Sequence, residues 1–103
     1  LFRSTLIFDE VDAGIGGATA QTVGRLMQQL GVVRQVLAVT HLPQVASCAH
    51  QHGVVRKLSS GETVSSHIEM VSGDTRVQEI ARMLGGETVT PAALSHATEM
   101  LKP

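Results

Sequence analysis

Apolar and polar positions change their period several times along this chain of 103 residues, and each change predicts an element. "STLIF", Ser4 to Phe8, is a short unbroken apolar run that ends in turn chemistry; that pattern predicts a strand buried on both faces. Gly14, Gly16 and Gly17 follow as a loop. From Ala18 to Leu30 the period becomes helical, with Val23, Leu26, Met27 and Leu30 at i, i+3, i+4 and i+7 on one stripe. Gly31 is the expected C-cap. "QVLAVT", Gln35 to Thr40, is a second apolar strand. Strand, helix, strand over this length is a βαβ unit, which predicts parallel strands and a right-handed crossover.

The second half changes character. Pro43 in "HLPQVASCA" suits the first turn of a short helix, where its missing N–H costs nothing. "GVVRKL" and "TVSSHIEMV" flank "SSGE", predicting a β-hairpin with Gly61 in its turn. "TRVQEIARML" is a further amphipathic helix, with Val77, Ile80, Ala81 and Leu84 as its stripe and Gly85-Gly86 as its stop. Thr75 and Gln78 have the spacing of a capping box. Thr90-Pro91 opens a last helix with Leu94, Ala97 and Leu101 on one side. No internal repeat, low-complexity segment or long linker divides the chain. Residues 1–103 are expected to form one partial domain of α/β class: a mainly parallel sheet, a hairpin and flanking helices.

Composition narrows the function classes. Hydrophobic residues make up 43 % of the chain, with no Trp, no Tyr and two Phe, so the core is aliphatic and the chain is not of disordered type. Met27, Met70, Met83 and Met100 are expected to fill it. A net charge of −1 gives no overall field toward nucleic acid or membrane. The single Cys48 excludes an internal disulfide and fits a reducing compartment. No apolar run reaches the ~18 residues of a membrane span, and no signal peptide is visible at Leu1 to Phe8. With no initiator Met, position 1 reads as a cut upstream of a strand.

The chemistry gathers at two predicted strand ends. The first presents Asp9 and Glu10, the second Thr40 and His41. Open α/β sheets bind ligands beyond the carboxyl ends of their strands. If the two strands are neighbours, these groups share one crevice. Asp9 is then suited to hold Mg²⁺, which prefers oxygen ligands and keeps several waters. Glu10 is suited to orient or deprotonate a water attacking a γ-phosphate, and His41 to donate to the charge that develops there.

These motifs resemble a family. "TLIFDEVD" is similar to the Walker B strand of ABC-type ATPases, in which the catalytic Glu directly follows the Asp, and "VLAVTHLPQVA" is similar to their switch-histidine segment. Together with "VQEIARMLGG", the phrasing resembles the C-terminal end of bacterial repair ATPases akin to the structural-maintenance-of-chromosomes (SMC) proteins, over nearly the whole chain and more weakly after Gly86. The resemblance implies the C-terminal, Walker B half of a P-loop ATPase head, acting in recombinational repair of DNA double-strand breaks. It implies ATP and Mg²⁺ as cofactors, Asp9 as the Mg²⁺ ligand, and Glu10 and His41 as catalytic groups. Ala13, Gly14, Ile15 and Gly16 match the loop that crosses to a second head, so the implied partners are DNA and a second copy, with no membrane, in the cytoplasm at the nucleoid. Many relatives end that loop in Asp where this chain has Gly16, so the contact with the opposite head differs or rests on backbone groups.

A G-x-x-x-x-G-K-[ST] phosphate loop and an LSGG-like signature are both missing from these 103 residues. Backbone N–H groups and the Lys of such a loop supply most of the grip on phosphates. The piece alone is therefore expected neither to bind ATP tightly nor to hydrolyse it. The competing expectation is a non-catalytic interaction domain that self-associates through open sheet edges. Two further signals count for little. Cys48, His50 and His52 offer zinc donors in a C-x-H-x-H spacing that is not a usual structural pattern. Arg56-Lys57 suggests a DNA-phosphate contact, but two adjacent cations are more often a solvated strand edge.

Overall fold

The computed structural model describes residues 4–9, 14–85 and 87–103. In order, the elements are β1 (Thr5–Asp9), α1 (Gly17–Val33), β2 (Gln35–Val39), α2 (Pro43–Ala46), β3 (His52–Ser60), β4 (Thr63–Val71), α3 (Gly73–Gly85) and α4 (Pro91–Met100). The α/β class and the order of elements are as the sequence predicts.

β1 and β2 pair in parallel, Thr5 opposite Gln35 through to Asp9 opposite Val39. The Thr5 hydroxyl donates to Gln35 Oε1 at 2.6 Å and so marks the register at its first rung. Alternation then sorts the side chains. Leu6, Phe8, Val36 and Ala38 are half-buried, while the opposite face is open, with Ile7 66 %, Leu37 54 % and Val39 50 % exposed. The expected burial on both faces is thus corrected: the described sheet has two strands here, and one of its faces is uncovered.

α1 runs past Gly31, which was expected to cap it. The Arg34 N–H donates to Leu30 O at 3.0 Å, and Arg34 itself is the C-cap. Gly31 instead lies under the His50 ring, where a Cβ would come within 3.2 Å of Cε1. The expected capping box at Thr75 is also revised. Gly73, at φ 54°, turns the chain into α3 two residues earlier. The Thr75 hydroxyl reaches back to Ser72, accepting from its N–H at 3.1 Å and donating to its O at 2.7 Å. At α4 the sequence and the structure agree: Thr90 Oγ1 accepts from the Ala93 N–H at 3.1 Å, and Pro91 takes the first turn.

The core sits among the helices. Ala46 of α2, Ile80 and Ala81 of α3 and Ala97 of α4 are buried together, with Val77, Leu84, Leu94 and Leu101 packed around them. Met83 and Met100 join this cluster. Met70 does not; it lies on the hairpin, 61 % exposed. The β3–β4 hairpin closes through Gly61, at φ 61°, and Glu62, with Ser60 opposite Thr63. Directly opposed residues share a face, so Val55 with Ile68, Ser59 with Val64, and Gly53 with Met70 line one side. Val55, Val64 and Ile68 are 64 %, 67 % and 68 % exposed.

Candidate functional site

The register between β1 and β2 decides what the strand ends bring together. Asp9 closes β1 opposite Val39, the last residue of β2, and Thr40 and His41 follow at once. Asp9 and His41 therefore stand at the same carboxyl end of one parallel pair, and both side chains are exposed. Glu10 and Ala13 lie outside the described residues.

The turn that carries His41 is fixed locally. The Thr40 hydroxyl accepts a hydrogen bond from the Leu42 N–H at 3.0 Å, a Thr-led turn that sets the backbone on both sides of residue 41. Leu42 then caps α2, accepting from the N–H groups of Val45 and Ala46 at 3.1 Å each. Pro43, Val45 and Ala46 are buried, which binds this short helix to the body of the molecule.

The glycine loop before α1 splits into distinct roles. Gly14 has φ +78°, a conformation that residues with a Cβ rarely adopt. Ile15 is half-buried. Gly16 is the N-cap of α1, in ordinary extended geometry at φ −79° and ψ 168°, with no side chain to accept from the first turn. Gly17 faces the Gln44 amide, whose Nε2 would lie 3.4 Å from an added Cβ. The start of α1 and the α2 segment after His41 are thereby neighbours.

Side chains that no local pattern singles out hold the segment after α2. Arg76 of α3 donates from Nη2 to Ala46 O at 3.1 Å and to Ala49 O at 2.7 Å. Gln28 of α1 donates to Cys48 O at 2.8 Å. Burial lowers the Arg76 pKa from its ordinary value. The same burial, and then the Arg76 charge, lowers that of His52, against a smaller opposing pull from Glu79. No local pattern announces Arg76, because its partners lie 27 to 30 residues away.

The zinc and DNA signals fare differently from the strand ends. Cys48 Sγ is engaged by Gln44 O at 3.4 Å, and among the described residues no group of three His, Cys, Asp or Glu side chains gathers as a metal site. Arg56 pairs with Glu69 at 2.8 Å. Lys57 lies opposite Ser66, on the other face of the hairpin from Arg56, so the two cations do not form one patch. Among the described residues no helix is long and apolar enough to cross a membrane.

This architecture is that of part of an SMC-type ATPase head. A solved SMC ATPase, studied for ATP-driven dimerization and DNA-stimulated activation, superposes with a TM-score of 0.67 at 17 % identity, over 82 % of this chain and 50 % of that one. The sequence assigns the chain more narrowly, to a RecN-like segment. It is 53 % identical to the DNA repair protein RecN of Deinococcus radiodurans over 94 % of its length, 48 % identical to that of Treponema pallidum over 95 %, and 45 % identical to that of Vibrio cholerae over 94 %. The chain spans only 17 %, 17 % and 18 % of those relatives. No family model matches it. The relatives and the fold thus agree with the resemblance read from the three motifs.

Proposed function

We propose that this segment supplies the Walker B, interface-loop and switch-histidine elements of a RecN-like ATPase that acts in recombinational repair of DNA double-strand breaks. One observation carries the reading: the parallel pairing of β1 with β2 in the register that sets Asp9 opposite Val39, with Thr40 and His41 directly after it. Three roles then follow from chemistry. Asp9, exposed at the strand end, would hold Mg²⁺, an ion that needs only one or two protein carboxylates beside water and phosphate oxygens. When bound, the ion neutralises charge on the phosphates. Glu10 orients and deprotonates the attacking water, help typically worth ~10²–10⁴-fold in rate. His41, held by the Thr40–Leu42 turn, donates to the oxygen on which charge develops.

Residues Ala13, Gly14, Ile15 and Gly16 contact a second head across the nucleotide in this reading. The matched SMC ATPase is described by ATP-driven dimerization and DNA-stimulated activation, and we carry both properties to the parent of this segment as part of the proposal. Hydrolysis would then open and close paired heads on DNA.

The test is Glu10→Gln in a full-length RecN carrying this segment. Turnover falls by roughly 10²-fold or more while Mg-ATP affinity changes little. Equal losses in binding and turnover would reject Glu10 as the base. The isolated 103 residues, which contain no phosphate-loop motif, show no micromolar Mg-ATP binding by calorimetry; a micromolar Kd would overturn that part.

A second reading rests on the hairpin. Val55, Val64, Ile68 and Met70 are exposed on one face of the hairpin, around the Lys57–Ser66 pair on the same face, so the isolated piece self-associates as an interaction module. Light scattering after size exclusion distinguishes the two: Ile68→Lys dissolves an oligomer built on this face and leaves the ATPase of the parent untouched.

A further inference from the structure

α2 is only four residues long, too short to hold a helical turn by itself. Its last turn is closed by short backbone bonds, Ser47 N–H to Pro43 O at 2.9 Å, Cys48 N–H to Val45 O at 3.1 Å and Ala49 N–H to Ala46 O at 3.3 Å. Side chains from both flanking helices add to these, Gln28 of α1 donating to Cys48 O and Arg76 of α3 to Ala46 O and Ala49 O. Arg76 carries the larger share, through charge-assisted hydrogen bonds from Nη2. Its Nε is buried without a hydrogen-bond partner. The hydrogen bonds recorded for the guanidinium all leave from Nη2 and run to the segment at the end of α2. At the other end of the same short helix stand Leu42 and the His41 turn.

We infer that Arg76 is a positioning residue for His41. It ties the carboxyl end of α2 to α3, and through α3 to the cluster of Ile80, Ala81 and Ala97, so that the Thr40–Leu42 turn presents the imidazole in one place. This inference rests on the role proposed above for His41. Displacing a catalytic group by about 1 Å can cost on the order of 10²-fold in rate without weakening substrate binding, and such a loss appears in kcat rather than in KM. Arg76 does not itself touch nucleotide in this scheme; its effect passes through His41.

The experiment is a steady-state ATPase measurement on full-length RecN carrying this segment, with Arg76→Met and Arg76→Lys each made in the native and the His41→Ala background. In the native background Arg76→Met lowers kcat roughly 10- to 100-fold and leaves KM for ATP within about twofold. Arg76→Lys recovers part of the loss, since a single ammonium can still reach a carbonyl. In the His41→Ala background neither variant lowers kcat further. An equal factor in both backgrounds, or no loss in either, overturns the inference while leaving the role of His41 standing. If His41→Ala alone leaves kcat unchanged, the role of His41 falls, and this inference with it. Should Arg76→Met not fold by circular dichroism, Arg76→Lys and Gln28→Ala carry the same test: a kcat loss confined to the native background supports the inference, and a uniform loss overturns it.

Discussion

Gly24 of α1 and Cys48, just beyond α2, approach so closely that a Cβ on Gly24 would stand 3.0 Å from Cys48 Sγ and 3.0 Å from Gln44 O. The second neighbour is backbone and cannot swing aside. Gly24→Ala gains up to about 1 kcal/mol in helix propensity, but overpacking typically costs about 1–3 kcal/mol. The substitution is therefore destabilising, read as a lower urea midpoint. Gly31→Ala is the control. Its Cβ would meet the ring of exposed His50 at 3.2 Å, and a surface ring can move, so propensity wins and the midpoint rises.

The loop before α1 separates two glycines by conformation rather than by space, since nothing lies within 4 Å of a Cβ at Gly14 or at Gly16. Gly14→Ala forces a side chain into the left-handed region at φ +78° and costs about 1–2 kcal/mol. Gly16→Asp does the opposite. It places a carboxylate at an N-cap that lacks a side-chain acceptor, and stabilises by about 0.5–1 kcal/mol through capping and the helix dipole. Thermal denaturation of the two variants should move in opposite directions. Under the loop role proposed above, a change in the ATPase activity of a full-length RecN carrying Gly16→Asp, with no loss of stability, bears on the proposed contact with a second head.

Glu79 is buried, 6 % exposed, and accepts from Arg82 Nε at 3.1 Å on both oxygens, while the Arg82 side chain is 58 % exposed. Hydrogen bonding to Glu79 raises the Arg82 pKa. The pair is asymmetric: removing Arg82 strands a carboxylate in the interior, whereas neutralising Glu79 leaves an arginine that water can solvate. Arg82→Ala is accordingly more destabilising than Glu79→Gln, and the double variant recovers part of the loss. A double-mutant cycle in urea checks the order; equal single-variant costs would show that Glu79 is already well solvated.

What the sequence made legible follows the range of the interaction involved. Thr90 and Pro91 mark the start of α4 because a cap and its partner lie three residues apart. The stripe of Val77, Ile80, Ala81 and Leu84 is likewise local, and all four residues join or border the core. That Asp9 and the His41 turn would lie at the same end of one parallel pair was legible because parallel strands joined by a helix admit few arrangements. Gly31 misled because α1 simply runs on past it to Val33, with Arg34 as its C-cap. The open face at Ile7 and Leu37 was misread for another reason. An apolar run states what a strand tolerates, not which neighbours are present to cover it. Arg76 carries no local signal, because only folding brings it to Ala46 and Ala49.

His52 gives the fold a pH dependence whose sign can be worked out. It opens β3 opposite Val71, and its Nδ1 is buried with no hydrogen-bond partner. Burial, then the nearby Arg76 charge, lowers its pKa from the ordinary 6.5, against an opposing pull from Glu79. The unfolded chain thus takes up this proton at a higher pH than the folded one. Between the two values the unfolded state binds more protons, so stability rises with pH there. The contribution of His52 is fully present above pH 6.5, and it is lost as pH falls through the lowered folded value. Urea midpoints should decline on acidification below about pH 6.5, and His52→Gln should remove that share of the slope. An NMR titration reads the group directly: a His52 midpoint below 6.5 is expected, and one at or above it would show that the ring is solvated in the fold.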